Sequence, residues 1–251
     1  MTYRNYRTMN KKLSRIESFE FLIGEALLNK YLVVEKLGSG WEGEVYKLKE
    51  KNTGIELAGK FFYPHRNEKN KVLKFHAKKL FKLRNCDIMI KYFTQDCFSH
   101  QGKEVSFLVS EYVNGELLSH FIKRQRGKRM SPFQGLHLLY SLAKGIEPIH
   151  HLSEYHGDLH SDNIIVKRHG LGFDLKVVDV HSWDFPKKEN LQNDVIDLIH
   201  LFHESIGGSK HYKNHPKCIK SIICGLRKDL ITEKFRRITH LIKHIETMEW
   251  V

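Results

Sequence analysis

A polar loop that runs directly into an apolar strand is the feature that most constrains this chain. Residues 156–166 read His-Gly-Asp-Leu-His-Ser-Asp-Asn-Ile-Ile-Val, and a second strand-like run after a turn ends on Asp179. If the two runs form a hairpin, Asn163 and Asp179 lie at one rim, and Asp158 lies in the loop just before them. Such hard oxygen donors suit Mg²⁺ that is held by few protein ligands together with phosphates. The pattern therefore predicts a phosphoryl-transfer site in which Asp158 orients a hydroxyl group.

The same residues resemble the catalytic and metal-binding loops of the protein kinase superfamily. The form His-Gly-Asp-Leu-His-x-x-Asn is closer to the branch that resembles aminoglycoside phosphotransferases, which favours a compact atypical bacterial-type serine/threonine kinase. The resemblance implies that Asp158 and Asn163 are catalytic residues and that Asn163 binds the metal together with Asp179. It also implies that Ile165 forms the floor under adenine. A polar hairpin turn that matches by chance is the alternative.

A glycine-rich loop lies between two predicted strands near the start of the chain. The strands cover 31–37 and 44–48, and Gly38-Ser39-Gly40-Trp41-Glu42-Gly43 joins them. In dinucleotide-binding folds Gly-x-Gly-x-x-Gly opens a helix, whereas here a strand follows. Strand, loop and strand form the kinase arrangement, in which a hairpin covers the phosphates. The resemblance implies nucleotide contacts from Gly38, Gly40, Gly43 and Val45. A plain hairpin turn is the alternative for the loop taken alone.

Two further apolar strands carry predicted nucleotide contacts. A lysine in an apolar strand is costly to bury unless an anion meets it. The resemblance implies that Lys60 is a catalytic residue that grips the α- and β-phosphates and that Ala58 lines the adenine pocket. A surface lysine on an edge strand is the alternative. The strand over 105–113 resembles the last small-lobe strand and the hinge, which implies main-chain contacts from Glu111 and Val113 to adenine.

The helix predicted over 68–84 departs from the family pattern. In protein kinases an inward glutamate of this helix pairs with the strand lysine, but the matching position here is His76. Glu68, the only acid in the helix, lies about two turns upstream, roughly 12 Å along the axis. Three explanations stay open: Glu68 serves through a different helix placement, Lys60 pairs with another group, or the site is impaired.

The segment that follows the metal aspartate is unusually short. Val180-His181 replaces the Phe-Gly of the common Asp-Phe-Gly motif, and a helix is predicted to begin near Asn193. Asp194 resembles the family aspartate that anchors the main chain of the catalytic loop. An Ala-Pro-Glu motif and a long activation segment do not fit between Asp179 and Asp194. Regulation by phosphorylation of such a segment is therefore not expected.

The net charge of the chain allows an anionic partner, and its apolar runs and cysteine spacing indicate a cytoplasmic location. The net charge of +13 permits attraction to RNA or to an acidic protein without proving either. No apolar run approaches the roughly 20 residues that span a bilayer, and the N-terminus lacks the apolar core of a signal peptide. The four cysteines have neither paired nor metal-type spacing, so reduced thiols are expected.

We therefore predict an α+β chain with the bilobal fold of protein kinases. An N-terminal helical extension covers 1–30, with an amphipathic helix over 10–29. A five-stranded small lobe covers 31–113, and a reduced, mainly helical large lobe without a long activation segment covers 114–251. Two helices, over about 218–230 and 232–250, end the chain after a loop.

The predicted function is transfer of the γ-phosphoryl group of ATP, with Mg²⁺, to a hydroxyl of an unknown protein or small molecule. The prediction depends on four residues acting around one nucleotide: Lys60, Asp158, Asn163 and Asp179. An atypical serine/threonine kinase is favoured. The alternatives are a small-molecule phosphotransferase, a nucleotide-binding pseudokinase scaffold and a basic module that binds RNA.

Overall fold

A computed structural model describes the chain over three ranges, 15–170, 172–183 and 185–249. Two compact units divide the chain. The first comprises residues up to 77 together with 93–112, and the second comprises 78–92 together with 113–251. An antiparallel sheet dominates the first unit and helices dominate the second, so the predicted α+β class is confirmed. No described helix is long and apolar enough to cross a membrane.

Six strands form the sheet of the first unit. They are β1 (Ala26–Leu27), β2 (Tyr31–Ser39), β3 (Gly43–Glu50), β4 (Glu56–Phe62), β5 (Tyr92–His100) and β6 (Lys103–Glu111). Their order in the sheet is β1-β2-β3-β4-β6-β5. The sheet has one strand more than predicted, because a two-residue strand such as β1 is too short to show an alternating pattern.

One face of the six-stranded sheet is apolar, and the other face carries predicted nucleotide contacts. Successive side chains of a strand point to opposite faces. One face holds an aromatic and aliphatic core, and five of its side chains are no more than 1% exposed: Tyr46, Leu48, Phe61, Phe107 and Val109. The other face presents Val45, Ala58 and Lys60, which are half-buried. Three residues that the resemblance assigned to the nucleotide therefore share one face.

The N-terminal helix predicted over 10–29 is wrong for its described part, residues 15–29. This segment forms turns and the short strand β1, whereas residues 10–14 lie outside the described residues. Gly24 has φ +86°, which a helix cannot contain. Ile23, which the helical spacing placed on the apolar face, is 81% exposed. The apolar spacing therefore reflects extended packing on the sheet and not a helical face.

A buried carboxylate fastens this N-terminal segment to the sheet. Glu44 is 1% exposed, and burial of a charge is costly unless hydrogen bonds satisfy it. Five groups donate to it at 2.6–3.3 Å: Ser18 Oγ, Phe19 N, Lys36 Nζ, Tyr46 OH and Tyr63 OH. Burial and the neighbouring Glu44 charge raise the pKa of Tyr63 to about 12. The cluster joins the segment, β2 and β3 around one charge.

Helix α1 (Lys71–Lys82) is preceded by a short 3-10 turn at Glu68–Asn70. The prediction over 68–84 therefore holds for the helix itself but begins too early. Lys69 and Asn70 have φ values of 53° and 57°, which interrupt the α-helix ahead of Lys71.

Within its described residues the second unit contains a small sheet, seven complete α-helices and the last part of α1. The strands are β7 (Glu116–Leu117), β8 (Ile164–His169) and β9 (Gly172–Val177). The helices are α2 (Leu118–Lys123), α3 (Pro132–His151), α4 (Lys187–Ser205), α5 (Gly208–Tyr212), α6 (Lys217–Ile223), α7 (Lys228–Lys234) and α8 (Ile238–Thr247). Ser131 begins α3 with a capping box to Gln134, and Pro132 occupies the first turn.

The last part of the chain forms shorter and more numerous helices than predicted. A loop was expected before residue 216, but α5 lies there. The single helix expected over 218–230 ends at Ile223, because Cys224 and Gly225 have φ values of 51° and 60°. Left-handed residues of this kind end a helix, and α7 and α8 continue the chain as separate helices.

Candidate functional site

The glycine-rich loop contains one glycine that the fold requires and two that it does not. A Cβ built on Gly43 would lie 1.8 Å from the carbonyl oxygen of Phe61, so no other residue fits there. Nothing in the described part of the chain lies within 4 Å of a Cβ built on Gly38 or Gly40. Gly40 N donates to Gly43 O at 2.8 Å and closes the turn. Within the described residues, the space on the Cβ side of Gly38 and Gly40 is therefore open.

Lys60 lies beside this loop on the half-buried face of the sheet. It pairs with Val45 of β3, and Ala58 lies two residues earlier on the same face. Its side chain is 14% exposed. An ammonium at this depth needs an anionic partner, and the first unit supplies one.

Glu42 of the glycine-rich loop is an anionic partner of Lys60. Its Oε2 lies 2.7 Å from Lys60 Nζ and 3.0 Å from His76 Nε2. Burial alone would raise the pKa of Glu42, but the hydrogen bond from His76 and the charge of Lys60 outweigh it and lower the pKa to about 2. Of the three explanations offered by the sequence, the second describes the structure, since Lys60 pairs with an acid outside the helix. Glu68 is exposed in the 3-10 turn ahead of α1.

The predicted hinge residues fall on the two sides of the division between the units. Glu111 ends β6 and pairs with Leu57 of β4 in the first unit. Val113 belongs to the second unit, where its carbonyl accepts from Gly115 N at 3.0 Å. Contacts from these two residues to adenine stay predictions.

A buried aspartate clamps the catalytic loop of the second unit. Asp194 in α4 is 0% exposed, and it accepts from His156 N at 2.8 Å and from Gly157 N at 2.9 Å. His150 Nε2 contacts the same carboxylate at 3.0 Å. The role predicted for Asp194, anchoring the main chain of this loop, is confirmed. Helix α4 itself begins at Lys187, earlier than predicted.

His156 is a structural residue of this loop. Its Nε2 lies 2.8 Å from the carbonyl oxygen of Val178, which assigns the proton to Nε2, and its Nδ1 accepts from Asp158 N at 3.3 Å. Burial lowers the pKa of His156, which favours the neutral form that both hydrogen bonds need. The ring therefore joins the loop to the strand that leads to Asp179.

Asp158 and Asn163 contact each other directly. Asn163 Nδ2 donates to the carbonyl oxygen of Asp158 at 2.9 Å and to its Oδ2 at 3.0 Å. Asp158 is 45% exposed, whereas Asn163 is only 7% exposed. A hydrogen bond with His160 is the main cause that lowers the pKa of Asp158. The loop thus presents an ionised carboxylate to solvent from a fixed main chain.

Asn163 and Asp179 are neighbours, as the hairpin predicted. Ile164 pairs with Val177 across β8 and β9, and Val178 N donates to the carbonyl oxygen of Asn163 at 2.9 Å. Asp179 has φ 56°, an uncommon left-handed conformation for a residue with a side chain. Asn163 and Asp179 thus supply an amide oxygen and a carboxylate from one end of the hairpin, and these ligand types suit a cation such as Mg²⁺. Ile165 pairs with Leu117 in the same small sheet and is half-buried.

The short segment after Asp179 is fastened at several points. His181 N donates to the carbonyl oxygen of His156 at 2.9 Å, and Trp183 Nε1 donates to that of Gly157 at 2.5 Å. Lys79 Nζ donates to the carbonyl oxygen of His181 at 3.2 Å. The buried Asn190 of α4 donates to the carbonyl oxygen of Phe185 at 3.0 Å. The segment that replaces an activation segment is therefore bound to the catalytic loop without any modification.

The sequence reasoning missed Glu42 and Trp183. Glu42 was read only as a variable position of Gly-x-Gly-x-x-Gly, although an acid in this loop and a histidine at the expected glutamate position together signal an exchange of partners. Trp183 gave no signal, because its hydrogen bond depends on the path of a segment without regular structure.

Comparisons with known proteins agree with this geometry. The family model of the protein kinase domain matches residues 31–217. Cell division control protein 2 homolog D of Antirrhinum majus is 24% identical over 82% of this chain and 67% of its own length. Cyclin-dependent kinase B2-2 of Arabidopsis thaliana is 28% identical over 71% of this chain and 58% of its own length.

A third relative, dual specificity testis-specific protein kinase 1 of Homo sapiens, is 28% identical over 71% of this chain and 25% of its own length. This chain therefore spans about two thirds or less of the length of these relatives. The relatives are plant and animal protein kinases, so they do not support the predicted bacterial-type branch or its likeness to aminoglycoside phosphotransferases. The match over most of the chain shows that it belongs to the protein kinase family, whose members are phosphotransferases.

Proposed function

We propose that this protein transfers the γ-phosphoryl group of ATP to a serine or threonine hydroxyl. The observation that carries the proposal is the direct contact between Asn163 and Asp158, at 3.0 Å, on a loop whose main chain Asp194 clamps. Phosphoryl transfer depends mainly on positioning and on charge neutralisation. A half-exposed, ionised carboxylate on a fixed loop can accept a hydrogen bond from an incoming hydroxyl and then its proton.

The nucleotide contacts are assigned by the family resemblance. Lys60 would grip the α- and β-phosphates, with Gly38, Gly40 and Gly43 above them, and Asn163 and Asp179 would hold Mg²⁺. When bound, Mg²⁺ neutralises phosphate charge. The adenine would contact Val45, Ala58, Glu111, Val113 and Ile165. The open space beside Gly38 and Gly40 within the described residues supports this assignment, because a phosphate can approach the main chain closely where no side chain intervenes.

A protein acceptor is favoured over a small molecule by the names of the relatives, which are cyclin-dependent and dual specificity protein kinases. The kinase would be atypical, because its short segment after Asp179 is already fastened to the catalytic loop. An acidic protein or RNA would suit the net charge of +13. Four free cysteines support a reducing compartment such as the cytoplasm.

A pseudokinase scaffold is the second candidate, and His76 in place of the helix glutamate is the observation that favours it. Such a scaffold would bind nucleotide without turnover, or without a requirement for metal. The small-molecule alternative predicts turnover with an added alcohol but none with protein substrates.

The decisive experiment is phosphoryl transfer from labelled ATP by the purified protein, with and without Mg²⁺, to itself, to basic and acidic protein substrates, and to small alcohols. Asp158→Ala should reduce transfer by at least about 10³-fold without lowering the melting temperature. Asp174→Asn is the matched control, since that carboxylate is 73% exposed on β9. Turnover that survives in Asp158→Ala would remove the role of this residue. Metal-independent nucleotide binding without transfer would favour the scaffold.

A further inference from the structure

The carboxylate that meets Lys60 is fixed by the main chain around it. The carbonyl oxygen of Glu42 accepts from Tyr63 N at 2.9 Å, and the next residue, Gly43, lies against the carbonyl of Phe61. Both contacts tie Glu42 to the end of β4, the strand that carries Lys60. Trp41, one residue earlier, is 67% exposed. Glu42 therefore lies at the anchored base of the loop and not at its exposed tip.

The histidine that replaces the helix glutamate contacts the same oxygen. His76 has a side chain that is only 5% exposed, and its ring lies 5.7 Å from that of Phe62 and 5.5 Å from that of Phe75. In this apolar setting the polar Nε2 needs a partner, and Glu42 Oε2 at 3.0 Å provides it. The imidazole thus fixes the rotamer of the carboxylate that binds Lys60.

The ionisation of Glu42 agrees with this arrangement. The hydrogen bond from His76 and the charge of Lys60 lower its pKa to about 2 in spite of burial, so the group is anionic at neutral pH. A fixed anion beside a flexible lysine side chain restricts the ammonium to one place. The family obtains the same restriction from a glutamate of the helix.

We propose that Glu42 is the positioning residue for Lys60, with the carboxylate supplied by the glycine-rich loop and a histidine of α1 orienting it. This inference rests on the proposed function and names a positioning residue of the same site. Because the acid lies in the loop, displacement of the loop would change the position of the Lys60 ammonium group. Helix α1 contributes an imidazole to this arrangement and not the carboxylate. The apparent defect at position 76 is then an exchange of partners and leaves the site competent.

The test moves the carboxylate from position 42 in the glycine-rich loop to position 76 in helix α1. Glu42→Gln should lower kcat/KM for ATP about 10- to 100-fold, and it should weaken affinity for a non-hydrolysable ATP analogue about 10-fold. His76→Glu alone should also impair both, because it places two carboxylates together. The double variant Glu42→Gln/His76→Glu returns one carboxylate to the helix, and it should recover at least 10-fold in kcat/KM over Glu42→Gln. Glu35→Gln is the control, since Glu35 is exposed on β2.

The outcomes separate a failure of the inference about Glu42 from a failure of the proposed function. If Glu42→Gln keeps the wild-type kcat/KM and nucleotide affinity, the inference is wrong while the proposed function stands. If Glu42→Gln and the double variant lose the same activity and differ only in melting temperature, Glu42 is structural and the inference is also wrong. If the wild type transfers no phosphate, the proposed function fails, but analogue affinity in the same variants still tests the positioning role. Absence of any nucleotide binding by the wild type would overturn both.

Discussion

The catalytic loop of the second unit and the lysine site of the first unit hold their charges by different means. Asp194 receives two main-chain N–H groups, at 2.8 and 2.9 Å, and is fully buried. Among the described residues, Glu42 receives two side chains, an ammonium and an imidazole, and its own side chain is 23% exposed. A main-chain clamp fixes the position of its acceptor, because the backbone groups cannot move to another place. A side-chain pair can be rebuilt from any residue that reaches the same point.

This difference explains which parts of the family pattern this chain keeps. The aspartate that clamps the loop occupies its family position, whereas the acid that meets Lys60 has moved from helix to loop. The comparison therefore predicts that substitutions in the clamp mainly reduce stability and that substitutions at the lysine mainly reduce nucleotide binding.

The largest loss of stability is expected for Asp194→Asn. An amide NH₂ would face an N–H donor of the loop, and a buried charge-assisted network would be broken. We expect roughly 3–5 kcal/mol less free energy of unfolding, measured by urea denaturation, together with loss of phosphoryl transfer. Glu42→Gln should lose far less stability. Equal losses in the two variants would contradict the distinction between the clamp and the pair.

Within the glycine-rich loop, Gly43→Ala should lower the stability of the fold, whereas Gly40→Ala should weaken nucleotide binding. A methyl group at Gly43 would meet the Phe61 carbonyl at 1.8 Å, and the displaced strand should lower the free energy of unfolding by roughly 2–4 kcal/mol. Gly40→Ala should leave it within about 0.5 kcal/mol, because nothing in the described part of the chain lies near that Cβ. Calorimetric titration with a nucleotide should show weaker binding by Gly40→Ala. Unchanged affinity there would argue against phosphate contact at this position.

Substitution of Glu44 tests whether a buried acid of the first unit stabilises the fold in the way that Asp194 does in the second. It is 1% exposed and accepts one main-chain N–H in addition to four side chains. Glu44→Gln should lower the free energy of unfolding by about 2 kcal/mol. It should also increase proteolysis of residues 15–21, since that segment is held by this carboxylate. Unchanged proteolysis would mean that the packing of Phe19 and Phe21, and not the carboxylate, holds the segment on the sheet.

The sequence predicted the elements whose evidence is local. Strands β2, β3, β4 and β6, helix α1, and the hairpin that joins Asn163 to Asp179 follow from periodicity and turn residues. The loop anchor Asp194 followed from the family pattern. These features depend on residues that are near in sequence or fixed by the backbone.

The features that the sequence did not predict depend on tertiary packing. The spacing of Ile16, Phe19 and Ile23 suits a helix, but the aromatic core of the sheet binds this segment in an extended form. The pairing of Glu42 with Lys60 and His76 joins three separate elements, so no short stretch of sequence contains it. Left-handed residues such as Cys224 are also invisible to periodicity, because they are set by the packing around them.

The smallest effect is expected at Asp197, which shares α4 with Asp194 but lacks a comparable set of donors. Burial, and then the charges of Asp194 and Asp158, raise its pKa from 3.8 to about 7. The folded state therefore disfavours the charged form. Its contribution to stability is complete below pH 4 and is lost as the pH rises through 7.

Asp197→Asn should remove this pH dependence, since an amide keeps the acceptor for Leu159 but cannot ionise. The full shift corresponds to about 4 kcal/mol, and solvent access with relaxation should reduce the gain at pH 8 to roughly 1–2 kcal/mol. Urea denaturation should show that gain at pH 8 and none at pH 4. Asp174→Asn, on an exposed carboxylate, should show no gain at either pH. Identical pH profiles for wild type and Asp197→Asn would mean that the Asp197 carboxyl ionises as freely in the folded chain as in the unfolded one. The clamp at Asp194 would then impose no electrostatic penalty on its own helix.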